Sequence, residues 1–196
     1  MANVIKLRKG LNIHLKGTAA QTKRVVGACA EYVVRPDTFE GVVPKLVVHE
    51  GDRVDVGDAL FVDKNFPEVR FASPVSGTVK AVERGERRKI LGIRLQADEV
   101  QKFHDFGRRD VSSLSADDVK NALLEAGLFG YIYQLPYAVS TNPQTMPKGI
   151  FVSALRDMPL ANDFEYELQG NERDFQTGLT ALSKMATTYL GIGKNQ

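Results

Sequence analysis

The chain has 196 residues and a mass of 21.6 kDa, which is room for one domain or two small ones. Hydrophobic residues make up 43% and charged residues 26%, a balance that excludes wholesale disorder. Lys and Arg total 26 against 24 Asp and Glu, so the net charge is +2, too balanced for the basic stripe of a nucleic-acid binder.

No stretch approaches the ~18 uninterrupted apolar residues of a membrane span. The opening MANVIKLRKG brings its charges before an apolar core can form, so it does not read as a signal peptide. Cys29 stands alone, which excludes a disulfide framework and a cysteine-ligated cluster within this chain and fits a reducing compartment. The expected location is cytoplasmic, with any membrane anchor provided by another protein of the same assembly.

Residues 1 to about 97 read as β. Leu46 with Val48, Val54 with Val56, and Leu60 with Val62 place apolar side chains two apart, the period of a half-buried strand. The pairs Gly51-Asp52 and Gly57-Asp58 separate them and supply turns with positive φ. Pro74 and Gly77 punctuate the next block, and Leu91, Ile93 and Leu95 alternate again. Short strands with frequent turn signals predict a small sandwich or barrel.

From about residue 112 the texture changes. Ser115 with Asp118 resembles a capping box, and Val119, Ala122, Leu123 and Ala126 then recur at the spacing of one helix face. Gly127 is placed to end that helix in the left-handed conformation. A stretch containing Pro136, Pro143 and Pro147 follows, and then the apolar run IFVSAL from Ile150 predicts a buried strand. Asn171 and Asp174 open a second predicted helix with Phe175, Leu179, Leu182 and Ala186 on one face. Thr188 to Ile192 predicts another strand. Strand, helix, strand begins an α/β unit, yet two strands and one helix cannot bury both sheet faces. The expectation is a fragment of a longer protein. The competing expectation is that the last residues pack back on the β half.

The residues from Glu50 to Leu60, then Asp63-Lys64, then Ser73-Pro74-Val75-Ser76-Gly77-Thr78-Val79, resemble the biotinyl/lipoyl-like barrel-sandwich, in which a hairpin presents a lysine for a swinging cofactor. Lys64 stands near that place, so a lipoylated or biotinylated carrier is one reading. Against it, no Met flanks Lys64, the segment up to Pro74 is too long for the tight lipoyl hairpin, and Pro67 removes a ladder donor. A solvated turn lysine on an unmodified module is the favoured expectation.

The longer hairpin resembles a more specific family, NqrA, whose members are subunits of the sodium-translocating NADH:quinone oxidoreductase and are related to RnfC of the Rnf complexes. Ile5 to Ile13 (IKLRKGLNI), Gly17, Arg35-Pro36, Arg84-Gly85 with Arg88, Leu123 to Phe129, Ile150 to Val152 and Pro159 to Ala161 are similar to the family pattern in the same order. The resemblance implies a mixed α+β chain: an N-terminal segment at 1–29, a barrel-sandwich module at 30–100, a helix and aromatic linker at 101–149, and an incomplete α/β, Rossmann-like domain at 150–196. It implies membership of a complex that moves electrons from NADH to quinone and drives sodium export. The implied partners are the other subunits of that complex, membrane-embedded ones included, with the chain peripheral on the inner face of the membrane. Flavins and iron–sulfur centres would sit in those partners, no cofactor would be covalently bound here, and ubiquinone or menaquinone would be the ligand. The chain alone is expected not to catalyse NADH oxidation. The alternatives are the Lys64 carrier and a scaffold with no ligand.

Residues 129–137 have the most unusual composition: four of the nine are aromatic, and they hold three of the six Tyr. Flat rings with polar edges suit a quinone, so Phe129, Tyr131, Tyr133, Pro136 and Tyr137 are the candidate quinone contacts. A linker whose aromatics cover the gap between modules is the competing reading. The family pattern has arginines where Tyr133 and Leu135 stand. The basic turn residues Arg84, Arg87 and Arg88 are candidates for docking an acidic partner, in contrast to a plain solvated hairpin. Arg156-Asp157 follows a predicted strand, where α/β proteins often bind ligands, but without a glycine fingerprint. Gly191 to Lys194 resembles only half a phosphate loop, and His14, His49 and His104 have no ligand spacing.

Overall fold

A computed structural model describes residues 15–156 and 158–193. The opening match at Ile5 to Ile13, together with His14, Asp157 and Lys194, lies outside them.

Seven strands build the β half: β1 Glu31–Val34, β2 Pro44–Leu46, β3 Arg53–Val54, β4 Ala59–Asp63, β5 Arg70–Ala72, β6 Gly77–Arg84 and β7 Ile90–Ala97. They form a four-stranded sheet in the order β1-β7-β6-β3 and a three-stranded sheet in the order β2-β4-β5, and every pairing is antiparallel. Both sheets contribute to one core. Leu60, Phe61 and Phe71 come from one sheet, and Val79, Ile93 and Leu95 from the other, all at 1% exposure or less. This is the expected barrel-sandwich.

The turn signals act as their chemistry predicts. Gly51 sits at φ +93° and Gly57 at φ +101°, where a side chain would strain the backbone. Asp52 accepts from the His49 amide at 2.7 Å, and Asp58 accepts from the Asp55 amide at 2.8 Å, closing the two turns.

Three details differ from the sequence reading. Val48 and Val56 lie outside strands, because β2 ends at Leu46 and β3 at Val54. Leu91 is 40% exposed rather than sharing a face with Ile93 and Leu95. Glu83 pairs with Gly92 and Arg84 with Ile90, so Leu91 is the extra residue of a bulge and Ile90 takes the buried place. On the outer face of this sheet, Arg94 bridges Glu31 and Glu83, and Lys80 pairs with Glu31. The hydrogen bond from Lys80, followed by that from Arg94, holds the Glu31 carboxyl below its usual range.

Helix α1 (Ala116–Glu125) starts with the predicted capping box. The Asp118 amide donates to Ser115 Oγ at 3.2 Å, and the Ser115 amide donates to Asp118 Oδ2 at 2.9 Å. The Ser115 hydroxyl also donates to that carboxylate, and these bonds keep Asp118 below its usual carboxylate range. Gly127 ends the helix at φ +70°, packed on Ala72 of β5. Ser115→Ala removes the cap and is expected to cost about 1 kcal/mol, read as a lower midpoint in chemical denaturation. An unchanged midpoint would show that tertiary packing alone holds this end.

Two short strands, β8 (Tyr133–Gln134) and β9 (Val139–Ser140), come next, and the α/β unit follows them. Strand β10 (Ile150–Ser153) pairs in parallel with β11 (Thr188–Gly191). Between them lie a short helix α2 (Phe164–Leu168) and the longer α3 (Glu172–Met185). Phe175, Leu179, Leu182 and Ala186 are half-buried on the predicted face, and α3 packs on α1. Asn171 occupies the N-cap position but makes no side-chain cap bond. The Glu172 carboxylate accepts from the Gly170 amide instead, at 3.1 Å. Helix α2, capped by Asp163, is too short to carry an apolar period that the sequence could show. One sheet face stays bare among the described residues: Phe151 is 72% exposed and stacks on Tyr189 at 5.1 Å.

Candidate functional site

The aromatic stretch at 129–137 is not an extended linker. Phe129–Tyr131 forms a single 3-10 turn, and β8 pairs with β9 as a small hairpin. The hairpin is bolted to the β half. The Ser140 amide donates to the Glu40 carbonyl at 3.0 Å, and the Ser140 hydroxyl to the Gly130 carbonyl at 2.8 Å. Gly130 lies so close to Phe71 that a Cβ there would fall 2.5 Å from the ring.

This attachment sorts the five candidates. Phe129 is 4% exposed and belongs to the core cluster, so it has no surface to offer a ligand. Its apolar ring is worth more under the β5 strand than in water, and that burial removes it from the candidate set. Tyr131 is half in and half out: 57% exposed, with its ring edge-on to Phe39 at 5.1 Å. Phe39 in turn meets Phe71 at 4.4 Å, and Phe71 stacks flat on Phe61 at 4.5 Å. An aromatic column thus runs from the surface at Tyr131 into the middle of the sandwich. Tyr133, Pro136 and Tyr137 project from the hairpin, with Tyr137 80% exposed and Leu135 beside it.

A further signal of this region lies in what its composition lacks. From residue 126 to residue 147 there is no Asp, Glu, Lys or Arg, in a chain where 26% of residues are charged. A surface hairpin ordinarily carries charge for solubility. The absence of charge leaves exposed Tyr133, Leu135 and Tyr137 on an uncharged stretch of surface.

The basic turn is a different kind of surface. Arg84, Arg87 and Arg88 are all exposed at the β6–β7 connection. Arg84 Nη1 donates to the Arg88 carbonyl at 3.3 Å, which brings these two together. Arg87 and Arg88 both adopt positive φ, at 54° and 61°. No ion pair engages any of the three among the described residues.

Lys64 stands at the root of the β4–β5 loop. Its amide donates to the Val43 carbonyl at 2.7 Å. The buried Asp63 carboxylate accepts from the Val43 and Asn65 amides, and the Asp63 amide closes the loop on the Val69 carbonyl at 3.0 Å. A carrier lysine needs the apex of a tight turn, and here the apex falls further along, at Phe66 to Val69.

Arg156 lies beyond the end of β10. It donates to Asn162 at 3.1 Å and pairs with Glu167 at 3.2 Å, so its charge is already met. Among the described residues, no group of three His, Cys, Asp or Glu side chains is arranged to hold a metal ion. His104 pairs instead with Asp58 at 2.8 Å, and His49 with Asp52 at 3.4 Å. No helix among them is long and apolar enough to cross a membrane.

Comparison with known proteins adds two domain matches in chain order. Residues 5–98 match the NqrA N-terminal barrel-sandwich hybrid domain, and residues 114–196 match the NqrA second alpha/beta domain. The chain belongs to the NqrA family. Similar proteins include the NqrA subunit of the Na(+)-translocating NADH-quinone reductase of Pseudomonas aeruginosa (strain UCBPP-PA14), 32% identical over 189 residues, which is 95% of this chain and 42% of that protein. The same-named protein of Actinobacillus pleuropneumoniae serotype 5b (strain L20) is 36% identical over 184 residues, or 93% of this chain and 41% of that protein. That of Yersinia pestis is 33% identical over 184 residues, with the same coverage. The chain therefore spans about two fifths of the length of the curated NqrA relatives it matches.

Proposed function

We propose that this NqrA-family chain serves as part of the NqrA subunit in a sodium-translocating NADH:quinone oxidoreductase. The observation that carries the reading is the in-order match of two NqrA domains, supported by similarity over nearly the whole chain to proteins of that name. In this reading the chain supplies no redox centre. Flavins and iron–sulfur centres sit in partner subunits, and the chain is held at the inner membrane face by membrane-embedded partners. Arg84, Arg87 and Arg88 provide a cationic patch for an acidic stretch of a neighbour.

The aromatic hairpin is the quinone-facing part. Its contacts are Tyr131, Tyr133, Pro136 and Tyr137, without the core residue Phe129. A bound ligand of that size is normally enclosed over most of its surface. Rings exposed to the degree of Tyr133 and Tyr137 provide one wall, so the facing wall belongs to a neighbouring protein of the complex. Supporting this is the absence of charge from 126 to 147, which suits ubiquinone or menaquinone with its apolar ring and tail.

Titration with a soluble ubiquinone analogue, read by tyrosine fluorescence, tests the site. Wild type is expected to quench saturably, Tyr137→Ala to lose part of the signal, and Tyr131→Ala to weaken binding severalfold. Equal, non-saturating quenching in all three proteins would leave the scaffold reading in place. Intact mass of protein isolated from its host addresses the carrier reading, since a lipoyl or biotinyl adduct at Lys64 would replace the present one.

A further inference from the structure

A cleft of about 880 Å³ opens beyond the carboxyl ends of both parallel strands. Leu155 and Arg156 line it after β10, Gly193 lines it after β11, and the loop leading into α2 provides a third side. This is where open α/β sheets leave a crevice. The fourth side does not come from the α/β unit. It is formed by Thr18 to Gln21, which lie within the stretch matched to the barrel-sandwich domain. A smaller cavity continues under the same segment, between Ala19–Arg24 and the start of α2. A loop of the first domain thus lies across the second with space beneath it.

Among the described residues, what holds that loop is slight. Gln21 Nε2 reaches Asp163 Oδ2 at 3.5 Å, Lys23 Nζ reaches the Glu167 carbonyl at 3.3 Å, and the same ammonium sits 5.5 Å over the Tyr166 ring. All are exposed side-chain contacts at long range. Among the described residues, no backbone hydrogen bond ties residues 18–26 to the α/β unit. The apolar side chains that would anchor it point away: Val25 is 95% exposed and Val26 78%. A glycine stands at each end. Gly17 has φ +107°, and at both Gly17 and Gly27 nothing among the described residues stands within 4 Å of the place of a Cβ, so neither glycine is packed in place there. Beyond Gly27 the chain is fixed again, where Ala30 accepts from the Ala97 amide at 2.9 Å.

We propose that residues 18–26 are a strap, hinged at Gly17 and Gly27, that opens and closes the cleft at the ends of β10 and β11. Gln21 and Lys23 are its clasps. Closed, the strap joins the two domains across the cleft; open, it widens the cleft and frees the α/β unit from that tie.

Paired nitroxide labels test this in the whole chain. Cys29→Ser removes the native thiol, and labels go on Val25→Cys in the strap and Gln176→Cys on the exposed face of α3. Pulsed dipolar distances are expected to show a short and a long population. Adding Gln21→Ala with Lys23→Ala is expected to raise the long fraction at least twofold, with the helical circular dichroism signal unchanged. A single short population unaffected by the clasp substitutions overturns the proposal. So does a distribution that is already long and broad with the clasps intact.

Discussion

Gly77→Ala is expected to abolish or nearly abolish folding of the β half. Gly77 opens β6 and pairs with Val54 of β3 on one side and Ala97 of β7 on the other. A Cβ there would sit 2.0 Å from the Gln96 carbonyl oxygen and 3.1 Å from the Ala97 Cα. Neither neighbour is a flexible side-chain end; both are backbone of a paired strand. Relief requires β6 and β7 to part at this point, which also disturbs the buried Ser76 next to it. The cost is expected at or above ~3 kcal/mol, the upper end for overpacking. Urea unfolding measures it, with Gly178→Ala as the counterpart. Gly178 lies within α3 with nothing among the described residues near its missing Cβ, so alanine there is expected to be neutral or to stabilise by up to about 1 kcal/mol. A Gly77→Ala protein as stable as wild type would show that β6 and β7 do not approach as described.

Phe71→Ala is the second large effect. Phe71 is 1% exposed and central to the aromatic column, in contact with Phe61 at 4.5 Å and Phe39 at 4.4 Å. Truncating a buried Phe costs about 3–5 kcal/mol. In a chain of this size that lowers Tm by roughly 10 °C. The loss also reaches outward, because Gly130 at the root of the aromatic hairpin rests on this ring. The variant is therefore expected to weaken quinone-analogue binding at temperatures where it remains folded. A Tm within 2–3 °C of wild type, roughly 1 kcal/mol, would mean that the cavity collapses and the column is not a unit.

Local chemistry was legible wherever one residue type decides a backbone shape. Gly51, Gly57 and Gly127 adopt the positive φ that their positions predicted, and Ser115 with Asp118 forms the capping box. Alternation revealed the strands but not their limits, because a two-residue strand such as β3 carries no period of its own. Leu91 fell to the wrong face for a related reason: a bulge is a property of a strand pair, and its partner, Glu83-Arg84, is visible only once the pairing is known. At the candidate site, composition found the aromatic segment but could not divide it. Phe129 and Tyr131 are two residues apart, yet one is core and the other surface, because Gly130 lets the chain press against Phe71 between them. The strap left no trace, since its contacts with α2 join residues more than 140 positions apart in sequence.

The absence of charge between residues 126 and 147 bears on how the two proposed surfaces respond to ionic strength. Dissolved ions act on a contact by screening its charges, over about 8 Å at physiological salt. The arginine turn offers three such charges, so whatever it holds loosens as salt rises. The tyrosine hairpin offers none. Its hold is through excluded water, which strongly hydrated salts such as sulfate strengthen. The two proposed surfaces are thus expected to respond in opposite directions to the same change in solution, and a salt series alone tells which of them is bearing an attached partner.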